Sequence, residues 1–253
     1  MTDADLVVRL RAAGCVWAED EARLLLEVPE PERETLVMRR IAGEPLEHVL
    51  GWAEFLGHRV AVVPGVFVPR RRTEFLAECA VAVASPGGIL VELCCGTAAV
   101  ALAVASRVEG LEVHAADTDP VAAGCARRNL AAVGGHVHVG DLDAPLPRDL
   151  AGRVDVIVAN APYVPTGELE LLPHEARDHE PRAALDGGPD GLDIQRRIAS
   201  VAPAWLAPGG SLLIETSEAQ ASGTAAAMAT AGLDPRIRRD RSRSATVVVG
   251  TTA

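Results

Sequence analysis

The chain has 253 residues, 49% of them hydrophobic, and 35 acidic against 24 basic side chains give a formal charge of −11. That length supports one substantial core or one core with a small accessory unit, and the acidic balance repels a phosphate backbone, so no direct DNA partner is expected. No apolar run reaches the roughly 18 residues of a membrane span, the opening MTDADLVVRLR has no signal-peptide core, and Cys15, Cys79, Cys94, Cys95 and Cys125 lack C-x-x-C spacing; the expectation is a soluble, cytoplasmic protein with reduced thiols, no membrane partner and no metal, a monomer or weak dimer.

Apolar residues recur at helical spacing near the start: Leu6, Val7 and Leu10, then Leu24, Leu25 and Val28, then Leu36, Val37 and Ile41. Pro29 and Pro31 separate the second stripe from the third, and Gly43 with Pro45 ends it, so 1–50 is expected as a small helical domain. Trp52 to Val63 predicts a short hairpin turning at Gly57, and 51–72 reads as hairpin and linker. A loop from Val66 to Glu74 then feeds a helix over Thr73–Ala84.

Beyond Pro86-Gly87-Gly88 strands and helices alternate. Strands are predicted at Ile89–Leu93, Glu112–Ala116, His136–Val139, Val154–Ala159 and Ser211–Glu215; helices at Ala98–Arg107, Pro120–Val133, Gly191–Trp205 and Ala219–Ala231. Strands buried on both faces and separated by helices imply an α/β fold with a doubly wound parallel sheet over 73–253. Leu233–Arg239 and Ala245–Gly250 have no helix between them, so the sheet should close with an antiparallel hairpin.

In such a sheet ligands bind beyond the carboxyl ends of the strands, near the switch in strand order. The first loop there runs Glu92-Leu93-Cys94-Cys95-Gly96-Thr97-Ala98, where small residues Cys94, Gly96 and Ala98 alternate and let the backbone approach a ligand. A lone glycine turn is equally an ordinary structural turn. Asp117, past the second strand, can bond both hydroxyls of a ribose; Asp141, in Val139-Gly140-Asp141-Leu142, can accept from an exocyclic amine such as adenine's. Each could instead be a loop carboxylate, and Asp119 before Pro120 reads as a helix cap. The G-x-G-x-x-G spacing of nicotinamide sites is absent, and an acid ahead of the turn, Glu92, fits S-adenosylmethionine better.

The fourth strand ends in Asn160-Ala161-Pro162-Tyr163. Asn and Pro commonly end strands, so a plain turn is one reading. The other is chemical: Asn160 and the Ala161 carbonyl accept the two hydrogens of a planar NH₂ group while Tyr163 packs on its plane. An amide nitrogen is a poor nucleophile because its lone pair is delocalised. Acceptors on both hydrogens aim it at an electrophilic methyl.

With this loop the sequence resembles the HemK-type protein-(glutamine-N5) methyltransferases, which modify peptide-chain release factors. The family's Asn-Pro-Pro-Tyr appears as Asn160–Tyr163, and its Pro-Arg-Pro-Asp/Glu-Thr-Glu as Pro69-Arg70-Arg71-Arg72-Thr73-Glu74. Its Glu-Pro and acidic glycine-rich stretch appear as Glu180-Pro181 and Leu185-Asp186-Gly187-Gly188-Pro189-Asp190-Gly191-Leu192. The resemblance covers nearly the whole chain and implies a class I methyltransferase sheet of seven strands. It also implies S-adenosylmethionine as cofactor with S-adenosylhomocysteine as product, and a protein substrate presenting a glutamine. Cofactor binding is carried to Glu92, Cys94, Gly96, Ala98, Asp117, Asp141, Leu142 and Asn160, catalysis to Asn160, Ala161, Pro162 and Tyr163, and substrate contact to Arg70, Glu180 and Pro181. The chain departs from the family in three ways: two glycines of the turn are lost, the first loop proline is Ala161, and the N-terminal unit is short. Two rivals stay open, an N-methyltransferase of a small metabolite, natural product or nucleobase amine, and an inactive cofactor-binding module.

The other polar groups have plainer readings. His136 and His138 alternate on a strand without a third ligand, His174 and His179 flank Glu175 in a loop, and the arginines from Arg236 to Arg243 protect an edge strand. Among Arg70–Arg72, one is expected to hold a carboxylate or phosphate.

Overall fold

The computed structural model describes residues 3–253. Four helices come first: α1 (Asp3–Ala12), α2 (Ala18–Leu26), α3 (Glu32–Ile41) and α4 (Leu46–Leu50). The expected stripes of α1 and α3 pack against α2, with Leu6, Leu10, Ala22, Leu25 and Val37 fully buried in a core of their own. Of the second stripe only Leu25 belongs to it, Ala18, Ala22 and Leu26 completing that face in place of Leu24 and Val28. The fourth helix has only five residues, too few for a sequence period to show, and Gly51 at φ 79° ends it.

Strands β1 (Trp52–Phe55) and β2 (His58–Ala61) form the expected antiparallel hairpin, with Leu56 and Gly57 at positive φ in its turn. Asn129 ties this hairpin to the main domain: its Oδ1 accepts from the Ala61 amide at 2.8 Å and its Nδ2 donates to the Ala61 and Thr97 carbonyls. After a 3₁₀ turn at Arg71–Thr73, α5 (Glu74–Val81) leads into the large sheet.

The sheet contains β3 (Ile89–Leu93), β4 (Glu112–Asp117), β5 (His136–Val139), β6 (Val154–Ala159), β7 (Leu206–Thr216), β8 (Asp234–Asp240) and β9 (Ala245–Thr251). Its order is β5-β4-β3-β6-β7-β9-β8, parallel from β5 through β7, with β9 antiparallel between β7 and β8. The closing hairpin is therefore as expected. The switch in strand order falls between β3 and β6, and their carboxyl ends face one opening.

Helices α6 (Ala99–Ala105), α7 (Pro120–Leu130), α8 (His174–His179), α9 (Asp193–Val201) and α10 (Ala221–Thr230) complete the fold. The strand period decides the layers. Leu90, Val156 and Val158 point into a core with α5, α6 and α7, while Val91, Leu93, Ile157 and Ala159 point into one with α9 and α10. Each fully buried Leu or Ile of these layers contributes about 1.5–3 kcal/mol.

Four of the expected helix limits move inward. Gly191 at φ 75° holds the start of α9 back to Asp193, and Pro203, which has no amide proton, turns its end into a 3₁₀ turn at Ala202–Ala204. Ala98 at φ 56° delays α6 to Ala99, and α7 likewise finishes as a 3₁₀ turn over Ala131–Val133. The stretch after Tyr163, where His174, Glu175 and His179 are expected in a loop, contains a 3₁₀ helix at Thr166–Leu171 and the short α8. No helix among the described residues is long and apolar enough to cross a membrane.

Candidate active site

A cavity of about 490 Å³ opens at the carboxyl ends of β3, β4 and β6. That volume is in the range of small-molecule and cofactor sites. Its walls bring together Cys94 and Gly96 of the first turn, Asp117 at the end of β4, Leu142 after β5, and Asn160 to Tyr163 after β6.

The turn does what its missing glycines would have done. Cys94, Gly96 and Ala98 all adopt positive φ, at 52°, 53° and 56°. Non-glycine residues there carry a steric cost on the order of 1–2 kcal/mol each. Buried hydrogen bonds hold the conformation: the Cys95 amide donates to the Ala116 carbonyl at 3.1 Å and the Gly96 amide to Asp117 Oδ2 at 2.8 Å. Ala98, the residue just before α6, is fully buried and does not line the cavity. Its expected cofactor contact becomes a packing role, because a methyl group at that turn faces the core.

Glu92 lines the cavity but its carboxylate faces the start of α6, where Oε2 accepts from the Ala101 amide at 2.7 Å. Burial pushes its carboxyl up to about 8. Asp117 uses one oxygen for Gly96 and the other for the Asp119 amide at 2.9 Å, and it lines the cavity. Burial raises its carboxyl as well. Asp119 caps α7 through Val121, as expected.

Asp141 is placed differently. Its carboxylate pairs with Arg197 at 2.6 Å and is more than half exposed, while its neighbours Gly140 and Leu142 line the cavity. Leu142, at φ 49°, lines the cavity, and Asp141, expected to contact adenine, stands outside the lining with Oδ2 held by Arg197.

The Asn160–Tyr163 loop is packed from behind by the glycine-rich stretch. Gly191 sits so close that a Cβ there would lie 2.2 Å from the Tyr163 carbonyl oxygen, and one at Gly187 would lie 2.8 Å from the Pro162 oxygen. Gln220 of the turn before α10 donates to the Tyr163 carbonyl at 2.9 Å and to the Asp190 carbonyl at 3.0 Å. The acidic residues of that stretch point elsewhere: Asp186 accepts from Thr166 Oγ1 and from the Gly188 amide. At the front, Asn160 Nδ2 donates to Thr73 Oγ1 at 3.3 Å, which leaves its Oδ1 as the acceptor on the cavity side.

Of the expected substrate residues, Arg70 and Pro181 line the cavity, whereas Glu180 is buried behind it. Arg70 Nη2 contacts both Glu180 oxygens at 2.6 Å, and the Val68 amide adds a bond at 3.0 Å. Like Arg72 with Glu215, Arg70 of the cluster is thus occupied by an internal carboxylate. Its geometry strings the linker to the segment covering the cavity.

Two participants had gone unmarked. Glu215, at the carboxyl end of β7, is 1% exposed, takes Arg72 Nε at 3.3 Å and lies beside Tyr163. Its position at a strand end is the same signal that singled out Asp117. Thr73, buried against Asn160, offered no signal beyond the resembling segment.

None of the cavity thiols or phenols is a base at neutral pH. Burial pushes the Cys94 thiol up to about 12 and raises the Cys95 thiol as well, and burial with the nearby Glu215 charge pushes Tyr163 up to about 12. The site is built to orient groups. His136 and His138 lie far from it, stacked with His114 on the β4–β5 edge, and no cluster of the described residues could hold a metal ion. The arginines of β8 lie on the sheet's edge strand, where Arg236 pairs with Asp234 and Arg239 with Glu218, and Arg243 beyond it pairs with Glu78 and Asp240.

The methyltransferase small domain family matches residues 58–173. A release factor glutamine methyltransferase of Mycolicibacterium smegmatis is 41% identical over 212 residues, 81% of this chain and 75% of that protein. A 4-amino-L-phenylalanine/4-methylamino-L-phenylalanine methyltransferase of Streptomyces pristinaespiralis is 36% identical over 81% of this chain and 73% of its own length. Among solved structures, a methyltransferase from Pyrococcus furiosus superposes with a TM-score of 0.57 at 14% identity, covering 87% of this chain and 98% of that one, and shares the fold. The chain spans 65% to 75% of the length of the first matched relatives.

Proposed function

This chain belongs to the release factor glutamine methyltransferase family, and from that premise we propose that it transfers a methyl group from S-adenosylmethionine to the side-chain amide nitrogen of a protein glutamine, a peptide-chain release factor being the first candidate. The observation that carries this reading is convergence: the Cys94–Gly96 turn, Asp117 and the Asn160–Tyr163 loop, far apart in sequence, share one cavity at the switch point of the sheet.

The lining suits that cofactor. Asp117 offers carboxylate lone pairs suited to ribose hydroxyls, Leu142 and Ala122 offer apolar surface for a flat base, and the turn offers close backbone for the amino-acid portion. When bound, the cofactor supplies an electrophilic methyl on a sulfonium. Asn160 Oδ1 and the Ala161 carbonyl hold the two amide hydrogens of the acceptor, and Tyr163 packs on the amide plane. These residues would aim the amide nitrogen at that methyl, and the proton displaced from nitrogen would leave to solvent, because a methylated, protonated amide is strongly acidic. Rate comes from orientation and from excluding water, not from a side-chain base. Arg70, fastened to Glu180, and Pro181 form the mouth through which the glutamine enters.

A second reading has one specific support, the Streptomyces pristinaespiralis relative, whose named substrates are arylamines. The same loop could aim an arylamine of a small molecule. Incubation with methyl-labelled S-adenosylmethionine, a purified release factor and cell extract distinguishes the two. Label on a glutamine of the release factor is the expected result. Label confined to small molecules would replace the primary reading with the second.

A further inference from the structure

We propose that Thr73 and Glu215 are positioning residues that fix which end of the Asn160 carboxamide faces the cavity. The two ends of a carboxamide are alike in shape and opposite in polarity. Turned the wrong way, Asn160 would meet a substrate NH₂ group with its own N–H donors, and the substrate hydrogens would lose their acceptor. Cavity shape alone does not discriminate between the two orientations, so some polar neighbour must.

Thr73 is that neighbour. It sits at the end of the 3₁₀ turn before α5, is 4% exposed, and its Oγ1 accepts from Asn160 Nδ2 at 3.3 Å. A hydroxyl carries a single proton, so it accepts from Asn160 only while that proton points elsewhere. The group waiting for it is Glu215, whose carboxyl interacts with the Thr73 hydroxyl as well as with Arg72. An ionised carboxylate has no proton to give and can only accept. With the Thr73 proton turned to that carboxylate, hydrogens run in one direction, from Asn160 to Thr73 to Glu215.

Glu215 has the features of a group kept for this purpose. It is 1% exposed, Val247 of β9 lies opposite it in the sheet, and its Oε2 has no hydrogen-bond partner among the described residues. A buried acceptor left unsatisfied is costly to a fold and calls for an explanation. Burial raises its carboxyl, the Thr73 hydroxyl and the Arg72 guanidinium oppose that shift and favour the ionised form, and the Tyr163 phenol is the other titratable group beside it. The inference rests on the reading that the methyl acceptor is a planar NH₂ group.

Asn129 and Asn160 are the chain's two asparagines, so asparagine labelled with ¹⁵N at the side-chain amide gives two NH₂ signals. The signal that Asn160→Ala removes belongs to Asn160. In the full chain, Thr73→Val and Glu215→Gln are expected to speed hydrogen exchange of that NH₂ about tenfold, and Thr73→Ser to restore the parental rate. With a release factor as acceptor, kcat falls about tenfold in the first two variants and recovers in Thr73→Ser, while KM and affinity for S-adenosylhomocysteine stay within about twofold. Glu215→Gln, which keeps the shape, serves if Thr73→Val does not fold. Parental exchange at Asn160 in a folded Thr73→Val or Glu215→Gln protein would overturn the proposal, as would parental kcat. A pinned Asn160 in a protein that leaves release factor unmethylated upholds the orientation and refutes the substrate reading instead.

Discussion

Asn160→Ala is expected to leave affinity for S-adenosylhomocysteine near parental while slowing methyl transfer roughly a hundredfold or more, the scale for deleting a preorganised polar group at a reacting centre. Asp117→Ala is expected to do the opposite: it removes an acceptor worth on the order of 1.5–3 kcal/mol to bound hydroxyls, so calorimetric titration should show affinity lowered tenfold or more. Parental turnover in the first variant, or parental affinity in the second, would remove the role assigned to that residue. Glu92 makes a pH-dependent contribution of a different kind. Its carboxyl has an ordinary value of 4.5 and is pushed by burial up to about 8, so between those values the folded chain holds a proton that the unfolded chain has released. Stability of the ligand-free protein then falls as pH rises through that window, by at most about 1.4 kcal/mol per pH unit from this group, and levels off above it. Glu92→Gln keeps an oxygen for the Ala101 amide and loses the titration. Urea unfolding at pH 5 and pH 8 is expected to show a smaller loss in the variant; parallel losses would count against a raised Glu92.

At the scale of elements, the chemistry depends on loops that are stiff without being regular. The Asn160–Tyr163 loop is pinned between Thr73 in front and the stretch around Gly187 and Gly191 behind. Gly191 combines φ 75° with a Cβ position 2.2 Å from the Tyr163 oxygen and equally near Gln220 Nε2. Gly191→Ala therefore strains its own backbone and pushes Tyr163 and Gln220 apart. A loss of more than about 2 kcal/mol in denaturant stability is expected, together with reduced methyl transfer, since backbone strain and overpacking add. A variant with parental stability would show that the stretch yields and does not brace the loop. The first turn follows similar logic: three positive φ values survive the loss of two family glycines because the Cys95 and Gly96 amides are hydrogen-bonded beneath them.

Across the whole molecule, the N-terminal unit reaches the cavity through a buried arginine. Arg40 of α3 is 6% exposed, binds Glu21 of α2 through Nε at 2.6 Å and Nη2 at 2.9 Å, and reaches Glu175 of α8 at 2.6 Å. Glu175 lines the cavity, so the helical unit is coupled to the segment that covers the site. Removing one partner of a buried ion pair leaves the other uncompensated and typically costs 3–5 kcal/mol. Arg40→Ala is expected to destabilise the protein by about that amount and to raise amide hydrogen exchange in α8, readable by mass spectrometry. Unchanged exchange in α8 would mean that the pair with Glu175 holds nothing in place.

Hydrophobic periodicity and turn residues determined the sheet, its helices and the closing hairpin, because burial of one face at a fixed period is a local property that survives without knowledge of partners. The spacing of Asp117 and Asn160 after their strands was legible for the same reason: the carboxyl end of a parallel strand is where a ligand can reach. What tertiary structure alone decided was which way each polar group turned. Glu92 serves a helix start, Glu180 is held by Arg70, Asp141 faces Arg197, and Glu215 comes from β7 to stand beside Thr73. Those pairings join residues more than a hundred positions apart in two of the four cases. A side chain's hydrogen-bond partner is chosen by proximity in space after burial has fixed the layers, and no local pattern in the chain encodes it.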